Sequence, residues 1–394
     1  MSLEFNYYSL GDLVKIKYGK NQKKVQDDEN GKYPIYGTGG LMGYSIDYLY
    51  DKPSVLIGRK GSIEKVRYIE EPFWTVDTLF YTEVNEEIVI PKFLYYVMSL
   101  MDLSRYNEGT SIPSLRTETL NRLDIPITNL DYQKRVLTVL SNIDKKISIN
   151  EEINRNLYEI LINNFNVIFD HEDKDCKLSD IVNIRRGASP RPIKDYISDT
   201  GINWLKIADV TGTEMPFIYK IKEKIIEEGK SKSVFIKKGT LVVSNSATPG
   251  IPKFIMVDTC VHDGWLVLNG YEDNLRYYLY FLIVKIRKEL INLAYGSVFN
   301  NLKTDTLKNY EISKPKDDQL DRFNKIAKPI MEKIDSNTKE IMMLSKLRDT
   351  LLPKLMSGEI DVSKINCDML QTSRKNWNNE YTLTLQDNLI EVIS

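Results

Sequence analysis

At 394 residues and 45.7 kDa the chain is too long for one hydrophobic core and predicts two or three domains. A hydrophobic content of 42% and a charged content of 28% describe an ordinary globular chain. A net charge of -1 excludes nucleic-acid binding driven by overall charge and leaves only local basic surfaces for it. Cys176, Cys260 and Cys367 are far apart and odd in number, which argues against a disulfide framework or a metal site and suits a reducing cytoplasm. The N-terminus shows no basic-then-apolar signal, and the longest apolar run, Tyr277 to Val284, is too short to span a bilayer. A cytoplasmic chain with no membrane partner is expected.

Taken in order, residues 1–128 predict a globular unit. Short β-like runs (Ser54 to Gly58, Leu79 to Val84) alternate there with Gly- and Pro-marked turns, and an apolar helix starts at Pro91. Residues 129–170 predict one long helix. Residues 171–315 form a second globe, with strand-like runs at Trp204 to Ile207, Thr240 to Ser244 and Lys253 to Val257, and a helix from Asn274. Residues 316–365 hold a second long helix, from Asp317 to about Met356. A polar, mildly acidic extension, 366–394, ends the chain, and its role is not legible.

The long helices share a seam. Val136, Leu140, Ile143, Ile147, Asn150, Asn154 and Leu157 step by four and three, the spacing of a two-stranded coiled coil. An offset of 187 carries this seam onto Phe323, Ala327, Ile330, Ile334, Asn337, Ile341 and Leu344, so Asn150 and Asn337 occupy one seam position. A polar residue there costs stability but fixes register. Two unrelated amphipathic helices would show neither the shared Asn nor the constant offset.

The duplication includes the globes. Leu10, Asp12, Val14, Ile16 and Gly19 match Leu178, Asp180, Val182, Ile184 and Gly187 at an offset of 168. Gly109, Leu115, Thr117, Thr119, Leu120 and Ile125 match Gly296, Leu302, Thr304, Thr306, Leu307 and Ile312 at 187. The second globe is therefore longer while the helices stay equal. Antiparallel helices would relate the halves by a pseudo-twofold axis. About 35 helical residues at roughly 1.5 Å each then hold the globes on the order of 50 Å apart, about 15 base pairs of B-DNA at roughly 3.4 Å each. Two-fold readers of DNA match spaced half-sites by the same logic.

Catalytic signals are weak. The glycines of Gly37-Thr38-Gly39-Gly40-Leu41-Met42-Gly43 miss the dinucleotide-binding spacing, and a turn able to approach phosphates or base edges is the better account. Gly229-Lys230-Ser231 lacks the upstream glycine of a phosphate-binding loop, and Glu228-Gly229-Lys230 lacks a convincing acid partner. His171 sits in a polar join. His262 falls in a turn whose Asp263 aligns with Asp77 at offset 186, a shared structural or DNA-facing feature. With two histidines, zinc and histidine acid-base chemistry are disfavoured, and no Asn-Pro-Pro-aromatic tetrapeptide is present.

Nucleic-acid signals are stronger. After the shared glycine the loops offer Thr110, Ser111, Ser114 and Arg116 in one half, and Ser297, Asn300, Asn301 and Lys303 in the other. Hydroxyls, amides and a closing cation serve phosphates and base edges alike. Arg185, Arg186 and Arg191 cluster beside Gly187, and Arg59 and Lys60 flank a turn. Ser244, Asn245, Ser246 and Thr248 follow an apolar strand. Lys20, Thr38, Gly39 and Lys206 complete the candidate DNA-binding set. Each loop alone reads as solvated surface; recurrence at equivalent places in two globes argues for function.

At the end of the second long helix, Leu351-Leu352-Pro353-Lys354-Leu355-Met356-Ser357-Gly358-Glu359-Ile360 resembles the ending of the specificity subunit of type I restriction-modification systems. The half-repeat architecture resembles that family through about residue 365, as do Tyr33-Pro34-Ile35-Tyr36-Gly37 and Trp204-Leu205-Lys206-Ile207. The resemblance implies an α+β fold, with two tandem α/β target-recognition domains separated by two long antiparallel coiled-coil helices as a pseudo-twofold duplication. It implies a non-catalytic subunit in which each globe reads half of a split target in double-stranded DNA. The helices would also dock two modification (methyltransferase) subunits, which bind S-adenosylmethionine and methylate adenine, and restriction subunits can join them. The globes are the variable part of the family, so no base assignment transfers to Arg116, Lys303 or any other residue. The extension past Asn366 lies outside the pattern. Two other classes stay open from the residues alone: a single-chain nuclease or methyltransferase fragment, and a coiled-coil scaffold with no DNA role.

Overall fold

The computed structural model describes residues 4–170, 174–295, 301–360 and 362. It divides into two compact units, Met1–Lys146 with Met343–Ser394, and Ile147–Met342. Seven α-helices lie among the described residues: α1 (Leu10–Leu13), α2 (Pro91–Ser99), α3 (Thr117–Asn121), α4 (Leu130–Ile168), α5 (Arg276–Tyr295), α6 (Thr304–Lys308) and α7 (Asp317–Met356).

The first unit contains a four-stranded antiparallel sheet in the order Val14–Tyr18, Leu79–Val84, Ser54–Gly58, Val66–Ile69. Ser54–Gly58 is buried throughout, which accounts for its continuous apolar sequence. A second, three-stranded sheet runs Gly40–Ser45, Tyr33–Gly37, Trp74–Thr75. Its last pair is parallel, with Tyr36 opposite Thr75. Ile90 leads into α2, where Pro91 takes the first position, the one place a helix needs no amide donor.

The second unit repeats this plan. Its first sheet is ordered Asn183–Arg186, Trp265–Asn269, Thr240–Ser244, Pro252–Ile255, then adds Phe217–Ile218. The parallel pair recurs with Leu205 opposite Val261. The offset is 169 at this pair (205 − 36) but 186 at the turn after the central strand (245 − 59). The extra length of the second globe therefore lies between these points, where Phe217–Ile218, Glu223–Ile225 and Val234–Ile236 form. Two expected boundaries move. The Trp204 strand stops at Leu205 because the Asp209 carboxylate accepts the Lys206 N–H at 2.8 Å and starts a turn. The helix expected from Asn274 begins at Arg276, after a 3₁₀ turn at Asp273–Leu275.

Within each unit, α4 and α7 run antiparallel. In the first, the Tyr132 hydroxyl donates to the Leu355 carbonyl at 2.9 Å and Arg348 pairs with Asp144 at 3.2 Å. In the second, Asn150 donates to Glu340 and Asn337 to Asn154, both at 2.9 Å. Val136, Leu140, Phe323, Ala327 and Ile334 are fully buried on the seam. The two equivalent asparagines therefore do not meet. In an antiparallel pair residue 337 faces residue 154, not its own repeat mate at 150. Asn154 and Asn337 are each about 1% exposed, which makes their shared bond a register pin.

Candidate nucleic-acid interface

The duplication extends to individual hydrogen bonds. In the first unit Gly19 N–H donates to Leu79 O (3.0 Å) and Lys20 N–H to Thr75 O (2.8 Å). In the second, Gly187 N–H donates to Trp265 O (2.8 Å) and Ala188 N–H to Val261 O (3.2 Å). A Cβ on Gly19 would stand 2.0 Å from Val76 O, and one on Gly187 2.1 Å from His262 O. Only glycine permits this approach of two backbones.

Against that reversal sits the turn after the central strand. Arg59 N–H donates to Thr78 O and Asn245 N–H to Gly264 O, both at 2.9 Å. Their side chains repeat the pattern: Arg59 Nη1 donates to Asp77 O (2.8 Å), Asn245 Nδ2 to Asp263 O (3.0 Å). The third strand of the frame is the polar loop, where Leu115 N–H donates to Arg59 O (3.0 Å) and Leu302 N–H to Asn245 O (2.8 Å). Three segments far apart in sequence thus form one surface in each repeat.

In the first repeat this frame gathers most of the expected residues. Lys60 pairs with Ser114 across an isolated bridge, and Gly61 N–H donates to Pro113 O at 2.9 Å. Asn107, absent from the sequence-based set, shapes the loop by accepting the Gly109 and Ser114 N–H groups at 2.9 Å each. Thr110 and Ser111 are exposed at its tip beside Ile112, which is 61% exposed. Thr38 and Gly39 form the tip of the Tyr33–Ser45 hairpin, and the Thr38 hydroxyl lies 3.8 Å from where a Cβ on Gly61 would stand. Arg59 rests over the Tyr18 ring at 5.2 Å. Arg116 is drawn to Glu108 at 3.1 Å but remains 71% exposed. Lys20 is exposed, while its carbonyl accepts from Trp74 Nε1 at 2.9 Å.

The second repeat is built around Asp263. Its carboxylate accepts from Ser189 Oγ (2.8 Å) and Arg191 Nη2 (3.3 Å), with Arg186 Nη2 at 3.9 Å. Its carbonyl accepts from Arg186 Nε at 2.7 Å. Burial pushes the Asp263 pKa up, but the Ser189 hydroxyl, its own backbone N–H and Arg186 outweigh that and hold it below the ordinary aspartate value. Arg185 is exposed on the same strand. Lys206 pairs with Glu223 at 2.5 Å.

Burial corrects part of the second set. Ser244 is fully buried; its hydroxyl donates to Thr248 O and accepts from Ile251 N–H at 2.5 and 2.9 Å. Asn245 is 2% exposed, and its amide serves the frame. The Thr248 hydroxyl is buried as well. The Ser244 hydroxyl, the Asn245 amide and the Thr248 carbonyl hold the loop's shape, and Ser246 is left as a partly exposed polar residue of the run. A polar run after a buried strand spends its first hydroxyls on the chain reversal itself. Asn301 is half-buried and Lys303, exposed, precedes α6; Ser297 and Asn300 lie outside the described residues, as do His171 and the 366–394 extension.

Of the doubtful catalytic segments, Gly37–Gly43 is a hairpin, and Lys230 pairs with Glu227 at 3.3 Å inside a 3₁₀ turn. No cluster of potential metal ligands occurs among the described residues. None of their helices is long and apolar enough to cross a membrane.

The architecture is that of a tandem α+β protein with one polar, cation-bearing loop face per repeat, joined through two long helices. The chain belongs to the type I restriction modification DNA specificity domain family, which it matches twice, over residues 3–159 and 172–346. The type I restriction enzyme MjaIX specificity subunit of Methanocaldococcus jannaschii is 25% identical over 349 residues, 80% of each chain. The MjaVIII specificity subunit of that organism is 22% identical over 400 residues, 91% of this chain and 93% of that one. The crystal structure of the type I restriction-modification S subunit from M. genitalium shares the fold, with a TM-score of 0.58 at 18% identity over 90% of this chain and 96% of that chain.

Proposed function

We propose that this specificity subunit is a non-catalytic reader of a split DNA target, each repeat contacting one half through its loop face. The observation that carries this reading is the duplicated frame, Gly19/Gly187, Arg59/Asn245 and Leu115/Leu302, which presents different side chains on one backbone scaffold. A shared scaffold with exchanged side chains suits two readers of different sequences. Phosphate contacts supply salt-dependent affinity, and a few loop side chains supply discrimination. The long helices set the gap and dock two modification subunits, which carry S-adenosylmethionine and methylate adenine; restriction subunits join the same complex.

Co-expression with a type I modification subunit, followed by single-molecule mapping of adenine methylation across a host genome, tests this. Methylation confined to a split motif with a fixed gap is expected. An unbroken short motif would mean that only one repeat reads DNA, and copurification without methylation would leave only a scaffold. Deleting one heptad from each long helix, about 10 Å or roughly 3 base pairs, should shorten the gap. The chain alone with DNA, magnesium and methyl donor should show no turnover.

A further inference from the structure

In the second repeat an open cleft of about 870 Å³ lies beside Asp263. Its floor includes Trp204, 1% exposed, and its walls carry Ile193 and Ile207. Three polar groups converge on it, and each offers N–H. Arg191 is anchored by one Nη2 contact to Asp263 and is 80% exposed, which leaves the rest of its planar fork in solvent. Lys206 brings an ammonium held by Glu223. His262 accepts the Gly264 N–H on Nδ1 at 2.7 Å, so the neutral ring carries its proton on Nε2. Burial lowers the His262 pKa below the ordinary histidine value and keeps the ring neutral at pH 7.

We propose that this cleft reads the major-groove edge of one guanine in the half-target of the second repeat, with Arg191 as the bidentate donor. The inference rests on the two-reader reading above. Guanine presents two adjacent acceptors, O6 and N7, in the major groove. Adenine and cytosine would set an amino group against these donors, and thymine offers one acceptor beside a methyl. Once bound DNA covers the cleft and shuts out water, such edges are rejected because these N–H groups are then left unpaired. A phosphate needs only a charge in open solvent, whereas this site has apolar walls, a buried aromatic floor and an arginine fixed by a carboxylate. Asp263 acts as a positioning residue: it holds Arg191 and Ser189 at the cleft mouth and Arg186 beside them.

The test uses the full chain in complex with its modification subunits and duplexes carrying the mapped split target. Each guanine of the second half is replaced in turn by 7-deazaguanine, which lacks N7. One position should lower the methylation kcat/KM by about tenfold in the native complex and not in Arg191→Ala, with discrimination at that base falling by roughly 5- to 150-fold in the variant. Arg191→Lys keeps the charge and loses the fork, and should fail similarly. Rescue by lysine, or coupling of Arg191→Ala to a methylphosphonate in place of a guanine, would assign a phosphate and overturn the proposal. A split motif with no guanine in its second half would overturn it while leaving the two-reader frame standing. Methylation without any split motif would remove both.

Discussion

The two repeats share a backbone scaffold and differ in where they place positive charge on it. Tyr18 of the first repeat corresponds to Arg186 of the second (186 − 18 = 168), and Arg59 corresponds to Asn245 (245 − 59 = 186). In the first repeat the cation stands on the turn, over Tyr18, and donates to the Asp77 carbonyl. In the second it stands on the strand and donates to the Asp263 carbonyl, while the turn supplies an uncharged amide to the same oxygen. The carbonyl accepts a side-chain hydrogen bond from the frame in both repeats, which ties the turn to the scaffold whichever residue supplies the donor. Evolution can therefore move charge across the face without losing the scaffold.

The repeats also grip the long helices differently. The first uses polar contacts: Gln133 of α4, fully buried, accepts the Ile90 N–H at 2.8 Å and donates to Thr128 O and Ile88 O at 2.8 and 3.0 Å. Asp144 accepts from the Tyr96 hydroxyl and pairs with Arg348. The second uses rings: Phe323 of α7 lies 5.3, 5.6 and 5.7 Å from Phe165, Phe169 and Phe281. A polar grip depends on geometry and salt, an aromatic one on buried area.

The scaffold itself should break with the largest effect. Gly187→Ala forces a Cβ onto a carbonyl and should cost about 3 kcal/mol or more, abolishing recognition of one half-target and sparing the other; Gly19→Ala should do the reverse. Half-target binding by separate duplexes reads this out, and loss of both halves by either change would refute independent scaffolds. Next, Phe323→Ala should cost about 3–5 kcal/mol in urea unfolding, with little dependence on salt. Asp144→Ala should cost less, about 1–2 kcal/mol given its partial exposure, and that cost should shrink at high salt.

A pH experiment sharpens the contrast, since Lys253 belongs to the second repeat. It is 2% exposed and donates to Thr213 O and Met215 O at 2.7 Å each. Burial lowers its pKa to about 8 in the fold, against an ordinary 10.5, with Glu214 opposing and Arg287 assisting. The unfolded chain then binds more protons between those values, so native stability rises as pH increases through that window, by up to about 3 kcal/mol. Lys253→Met should lack the rise; parallel curves from pH 7 to 10 would disprove it. The smallest effect is expected at the exposed cations. Arg116→Ala and Lys303→Ala should each weaken DNA binding across sequences and flatten the salt slope by about one.

The seam of α4 and α7 was legible because period and offset are linear properties of a chain, as was the strand at Ser54–Gly58. The polar loop and the aligned Asp77 and Asp263 were also visible, but not that their carbonyls close the scaffold. The partner of Asp263 in one direction is Ser189, 74 residues away, and no local pattern announces it. Ser244 and Asn245 misled for a related reason: a polar residue looks alike in sequence whether it faces water or a backbone group.

Sequence alone determined the tandem α+β repeats and the two long helices, since hydrophobic period and repeat offset need no third dimension. The family was legible only as a resemblance, carried by the Leu351–Ile360 ending and the half-repeat plan. Tertiary structure decided which asparagines pair, where the longer globe takes its extra strands, and which polar side chains remain for a ligand. Those outcomes depend on burial and on partners distant in the chain, and the free energy of a polar group is set by what it meets there.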